Sequence, residues 1–457
     1  MPLISPFRAV RYNSAQFSDL TPVLTPPYDV ISDEEQARYY DCHPRSMIRI
    51  DLNRIRPTDS GADNRYLRSA RHFADWLRDR TFIQDDIPAF YPSSIRYALA
   101  TGETKTLLGF FTLVRVEPFD TGQILPHELT FASAKQDRLQ LLRHCRAHFS
   151  PILLLAPDSS GRLRPLLEKM IASSEPAGRA VTETAEQQVW RTTDPSMIGE
   201  LSGLVAQAPL LIADGHHRYE TALNYRREIA ADPRAREEAG AAADFCLAFI
   251  TAGHDPGLSV LPTHRVLAGL EGFHLGRFLD QLKERFAVTP IAAASQHGDP
   301  GSFQSLPALL DAMRHHGQTQ PTFGLIGGPI GSAPASTSTG GSWVLTCNEP
   351  ASAQLDVRIL QADILEELLH LQEETAVAAG QLRYVKDPAH AAASVTTGEA
   401  QLAFLLNPTP IEAIETIARS GGRMPRKTTY FLPKPLTGFV IYPVNPGSLP
   451  DPLPHIQ

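Results

Sequence analysis

At 457 residues the chain is too long for one ordinary core, so two or three domains are expected. Its 42% hydrophobic share is ample for burial, and a net charge of -8 with no basic run argues against a general nucleic-acid binder. Cys42, Cys145, Cys246 and Cys347 stand far apart with no CxxC pair, which speaks against a zinc ribbon or a disulfide framework.

The start, MPLISPFRAV, shows no apolar leader core, and the longest apolar runs are far shorter than a membrane span. A soluble, cytoplasmic protein is expected. In "TPPYDVISDEEQ" the paired prolines force extended backbone, and Ser32 with Glu35 forms a capping box that opens a helix. A helix over Asn64–Asp79 follows, with Tyr66, Phe73, Trp76 and Leu77 on one stripe. "AFYPSSIRYAL" and "TLLGFFTLVRV" read as strands that pair around Thr101-Gly102. "FSPILLLAP", "VWRTT" and "DFCLAFIT" are further strands.

Beyond about Phe273 the texture changes, with helices, strand candidates and the small-residue loop "GGPIGSAPASTSTGG". These boundaries divide the chain into a catalytic or phosphate-binding region over 1–270, an α+β region closing the site over 271–443, and a flexible tail over 444–457. The class is mixed α/β (α+β) without the regular strand–helix alternation of a doubly wound sheet.

The most informative stretch is "LLIADGHHRYETAL". An apolar strand stops at Asp214, and Tyr219, Ala222, Leu223 and Ile229 then recur at helical spacing. With Asp214 as the N-cap, the amides of Gly215, His216 and His217 open the helix and make an anion site, to which Arg218 adds a bidentate contact. A carboxylate beside phosphate is repelled unless it holds a divalent cation or takes a proton, and that combination points to phosphoryl transfer. Read alone, the same residues also fit an Asp cap with two solvated histidines.

A second constellation is His127-Glu128 followed by "SAKQDR". Ser133 and Gln136 form a capping box there, so Lys135 and Arg138 share the first-turn face, where cations oppose the helix dipole unless an anion lies between them. Ordinary solvated charges are the plain alternative. Phe131 stands where a zinc-protease HExxH would need its second histidine. Two more blocks carry cations: "LPTHRV" with His264 and Arg265, and the proline-bracketed "MPRKTTYFLPKP" with Lys427 and Lys434.

Taken together, "PPYDVIS", "ILPHELT", "AKQDRLQLL", "SPILLL", "ADGHHRYETAL", "LPTHRV" and "MPRKTTYFLPKPLTGFVIY" resemble, in order, blocks of domain-of-unknown-function family 1015 from about Pro6 to Tyr442. Phe131-Ala132 and Thr428 depart mildly from its usual pattern. The central motif is similar to the strand–helix junction of the ParB/sulfiredoxin-like superfamily, which includes nucleotide-binding partition proteins and a free serine kinase. The resemblance implies a ParB-like nucleotide-binding core. Gly215, His216, His217 and Arg218 would then bind phosphate, with Asp214 as metal ligand or base.

The expected function is phosphate transfer between a nucleotide (ADP, ATP or CTP) or other phosphorylated donor and a small hydroxyl compound such as serine. His127, Glu128, Asp214 and His216 are the candidate catalytic residues, and Asp214 and Glu128 the candidate ligands of a magnesium ion. Gly215, His217, Arg218, Lys135, Arg138, Lys427, Lys434, His264 and Arg265 are the candidate phosphate ligands. The competing expectation is a non-catalytic nucleotide-binding regulator. A ParB-like DNA binder is disfavoured by the acidic balance and the lack of a helix-turn-helix.

Overall fold

The computed structural model describes residues 1–130, 132–291, 305–328, 340–348 and 355–449, with the side chains of residues 132–134 outside the description. Most of the glycine-rich 327–341 loop and the expected tail beyond 449 lie outside the described residues, as does the capping hydroxyl expected at Ser133. The described chain is mixed α/β and divides into two compact units. The first comprises 1–259, 415–423 and 431 onward; the second comprises 260–414 and 424–430.

In the first unit the large sheet contains β1 (Tyr91–Ala98), β2 (Thr104–Arg115), β3 (Ile124–Leu125), β4 (Ile152–Ala156), β5 (Gly178–Val181), β6 (Ala185–Val189), β7 (Leu210–Asp214) and β8 (Phe245–Ala252). They form one mixed sheet in the order β3-β7-β4-β8-β2-β1-β6-β5, with Ile4–Ser5 added on β2. β7 runs parallel to β3 and antiparallel to β4, while β8 is parallel to β4 and antiparallel to β2. The hairpin expected around Thr101-Gly102 is present as the antiparallel β1–β2 pair.

Central strands covered on both faces need continuous apolar runs, and all eight residues of β8 are buried. Alternate residues Ile152 and Leu154, Leu210 and Ile212, and Ala248 and Ile250 meet Tyr219 and Leu223 in one core. Each fully buried Leu or Ile there contributes about 1.5–3 kcal/mol. Among its helices, those that bear on the site are α1 (Arg65–Arg78), α2 (Ala132–Cys145) and α3 (His216–Ala231). α1 starts at Asn64, whose side chain accepts from the amides of Tyr66 and Leu67. Phe73 and Trp76 are buried on its stripe, but Leu77 is exposed. The Ser32–Glu35 capping box is formed in both directions.

The second unit has its own six-stranded sheet, including His264–Leu267, Thr322–Gly327 and Leu402–Leu406, and its own apolar core around Phe278, Phe323, Ile364 and Phe404. Of the expected tail, Ser448 and Leu449 are buried, and the Arg8 guanidinium donates to the Leu449 carbonyl at 2.9 Å. Among the described residues no helix is long and apolar enough to cross a membrane.

Candidate functional site

β7 delivers Asp214 to the C-terminal edge of the sheet, and its register against β4 shifts between Ile212 and Asp214, which re-aims the last side chain. Gly215 follows in the left-handed region at φ 94° and occupies the N-cap of α3. This corrects the expectation that Asp214 caps the helix: no side chain caps it. The physical reason is competition. One Asp214 oxygen accepts from Arg218 at 2.5 Å, and the other pairs with the Lys434 ammonium.

The helix's own carbonyls cannot serve the amides of His216, His217 and Arg218, since the first intrahelical bond runs from the Tyr219 amide to the Gly215 carbonyl at 2.9 Å. Gly215 also leaves room for the Arg218 side chain. A Cβ there would stand 3.1 Å from the guanidinium. That guanidinium donates to Ser150 Oγ at 3.1 Å and to the Pro151 carbonyl as well as to Asp214. Burial pushes the Asp214 carboxyl up, but Lys434 and then Arg218 outweigh it and hold it well below the usual carboxylate range.

Beside the junction lie two buried histidines. His127 follows β3 and shares its ring Nδ1 with the Ile212 carbonyl at 2.7 Å, while its backbone amide donates to His216 Nε2 at 3.3 Å. These partners assign the His127 proton to Nδ1 and leave His216 Nε2 as an acceptor. The rings meet edge to face at 4.6 Å. Burial lowers His127 to about 4, with the Ile212 carbonyl opposing. Burial and then His127 lower His216 well below its ordinary value. Both imidazoles are neutral at pH 7. Glu128 is half-buried next to His127.

Lys135 and Arg138 do not share one anion. The Lys135 ammonium reaches Glu220 at 2.7 Å, and Thr130 Oγ1 donates to the same carboxylate at 3.0 Å. Arg138 is buried. It donates to the Asp51 carbonyl at 2.9 Å and carboxylate at 3.1 Å, pairs with Asp137 at 2.5 Å, and lies over the Tyr28 ring at 4.0 Å. Arg138 and Arg218 nevertheless line one cavity of about 40 Å³, together with Asp51, His148, Ser150 and Thr221.

Lys434 joins Asp214 from its proline-bracketed segment and lies 3.9 Å from Asp29. Lys427, His264 and Arg265 belong to the second unit. Lys427 is exposed there. His264 Nδ1 accepts from the Leu406 amide at 3.2 Å, and Arg265 donates to the carbonyls of Thr263 and Lys427 and covers the Tyr384 ring at 4.7 Å. Arg265 thus uses its donors on backbone.

Sequence reasoning missed Tyr28, Asp29, Asp51, Ser150 and Glu220. Tyr28 and Asp29 sit in the quoted "PPYDVIS" block, which was a signal. Asp51 in "IRIDLN" carries no motif, and only burial reveals it.

A family model described as a protein of unknown function (DUF1015) matches residues 4–356. The chain matches none of the curated proteins. Among solved structures it is similar to a free serine kinase in complex with AMP, at 13% identity over 70% of this chain and 87% of that one, with a TM-score of 0.37. A conserved hypothetical protein from Pyrococcus furiosus is similar at 14% identity over 70% and 90%, TM-score 0.35. SbnI with a C-terminal truncation, from Staphylococcus aureus, is similar at 10% identity over 72% and 87%, TM-score 0.32.

Proposed function

The chain belongs to the DUF1015 family, and from that premise we propose that it is a phosphotransferase, moving a phosphoryl group between a nucleotide or other phosphorylated donor and a small hydroxyl metabolite. The phosphate would rest on the junction from Asp214 to Arg218, as in a ParB/sulfiredoxin-like core. One observation carries the reading: Lys434 and Arg218 converge on Asp214 at the N-terminus of α3. Two cations and a helix N-terminus form an anion-binding concavity. Asp214 keeps both cations in place until phosphate competes for them.

The strong depression of Asp214 argues for this anchoring role over that of a base, because a carboxylate so far below its usual range accepts a proton poorly at neutral pH. Glu128 is then the carboxylate proposed to take the hydroxyl proton as the acceptor oxygen bonds to phosphorus and the donor's phosphorus–oxygen bond breaks. His127 and His216, neutral and buried, hold the wall without adding charge.

Among the described residues no group of three His, Cys, Asp or Glu is placed to hold a metal. Both Asp214 oxygens are engaged by cations. A magnesium ion carried on the donor's phosphates fits these residues better than a resident one, since magnesium is commonly held by phosphates, waters and one or two carboxylates. When bound it would supply charge neutralisation to the phosphates, with Glu128, and Asp214 once phosphate has drawn Arg218 and Lys434 from it, as the side chains that would hold it.

The test is a thermal-shift screen with ADP, ATP, CTP, pyrophosphate and phosphoserine, with and without magnesium, on the full chain and on Arg218→Ala. At least one phosphate compound should raise Tm of the wild type, and the rise should shrink in the variant. No shift with any of the five would overturn the reading. Binding without turnover in the presence of hydroxyl acceptors would favour the regulator.

A further inference from the structure

The cavity beside Arg218 has a chemistry of its own. Asp51 is 5% exposed, and its Oδ1 and backbone carbonyl are taken by Arg138. Its Oδ2 is buried without a hydrogen-bond partner. A buried carboxylate oxygen left unpaired costs stability, so it is informative where one lines a cavity. Burial raises the Asp51 carboxyl and Arg138 opposes. Across the cavity stand the His148 ring, stacked on Tyr442 at 5.8 Å, and the hydroxyls of Ser150 and Thr221. Leu141, Ala147 and Ile152 supply apolar wall.

The volume of about 40 Å³ corresponds to about three waters. The unpaired carboxylate oxygen rejects an anion and asks for a hydrogen-bond donor. The guanidiniums of Arg138 and Arg218 in the same lining disfavour an ammonium. A neutral hydroxyl satisfies both conditions, and the apolar wall suits the carbons that bear it.

We propose that this cavity is a subsite for a small neutral alcohol, whose hydroxyl donates to Asp51 Oδ2 while its carbon chain lies on the Leu141–Ala147 wall. Arg218 forms the boundary with the phosphate site, holding Ser150 with one nitrogen and Asp214 with the other. Resting on the phosphotransferase reading, that alcohol is the acceptor, held at Asp51 by one hydroxyl while another takes the phosphoryl group.

The experiment is ligand-observed NMR with ethylene glycol and glycerol, and ethylammonium as the charged control, on the full chain, Asp51→Asn and Ala147→Leu. The diol or triol should bind the wild type and ethylammonium should not. Asp51→Asn should weaken binding about tenfold, the difference between a charge-assisted and a neutral hydrogen bond. Ala147→Leu, which fills the cavity from its apolar side, should abolish it. If Asp51→Asn does not fold, Ala147→Leu decides alone, with its Tm as the check on folding. No alcohol binding to the wild type, or binding unchanged in the folded variants, overturns the subsite and leaves a water-filled cavity. Pyrophosphate binding is read separately, so loss of the phosphate reading is distinguishable from loss of this one.

Discussion

Removing the charge of Asp214 would leave Lys434 and Arg218 facing each other across a buried amide. The two cations have side chains only 9% and 10% exposed, so water replaces the lost carboxylate poorly. Asp214→Asn is therefore expected to cost about 3–5 kcal/mol of stability, the usual price of breaking a buried pair. An N-cap role would have predicted almost no loss. Lys434→Gln should cost less, because Arg218 still compensates Asp214. The double variant should lose less than the sum of the singles, since two neutral amides replace an unbalanced charge. The sign with pH follows from the depressed carboxyl. Its contribution is complete above the unfolded value of about 3.9 and is lost only as pH falls through the lower folded value. The penalty of Asp214→Asn should thus be equal at pH 5 and pH 7. Urea denaturation of the three variants measures this, and a loss under about 1 kcal/mol for Asp214→Asn would remove the anchoring argument.

At the scale of elements, the β7–α3 junction depends on Gly215. An alanine there meets a left-handed φ and a Cβ 3.1 Å from the Arg218 guanidinium. The backbone alone should cost about 1–2 kcal/mol. The displaced guanidinium should also weaken pyrophosphate binding, whereas Gly199→Ala, whose Cβ meets nothing within 4 Å, should leave it unchanged. Equal pyrophosphate affinity in both variants would mean that the fit of Arg218 over Gly215 is irrelevant. The same junction shows what sequence pattern can carry. The strand and the helix were legible because an apolar run and a period of 3.6 are local properties, and the Ser32–Glu35 box was legible for the same reason. The cap was misread because the competitor for Asp214 is Lys434, 220 residues away. Spacing leaves Lys135 and Arg138 open between a shared anion and plain solvation, and their partners Glu220 and Asp51 lie 85 and 87 residues away. Local spacing places a charge on a face; only tertiary packing decides what it meets. Lys434, on its proline-bracketed segment, does meet Asp214, a pairing that no local spacing shows.

Over the whole molecule, buried imidazoles and buried carboxyls set different responses to acid in the two units. In the first unit burial lowers His127 and His148 to about 4 and holds His216 well below its ordinary value. An unfolded histidine titrates near 6.5, so between pH 6.5 and 4 the unfolded state binds more protons and stability falls as pH falls. His127 and His148 are each worth on the order of 3 kcal/mol across that window. In the second unit burial lowers His264 to about 4, but burial also raises Asp356 to about 6. A raised carboxyl binds its proton in the folded state first, so its contribution is present at low pH and is lost as pH rises from about 3.9 to 6. The two shifts in the second unit are of similar size and opposite sign, while His127, His148 and His216 in the first unit act together and His72, also lowered by burial, adds to them. Asp51 and Asp255, which burial raises in the first unit, oppose them. Acidification from pH 7 to 5 should therefore open the first unit before the second. Hydrogen exchange by mass spectrometry, corrected for intrinsic rates, should show protection falling in β4, β7 and β8 while Thr322–Gly327 and Leu402–Leu406 keep theirs. His148→Gln should reduce the loss in the first unit without removing a hydrogen bond, because burial is the sole cause of its shift. Equal loss of protection in both sheets would contradict the assignment of acid sensitivity to these imidazoles.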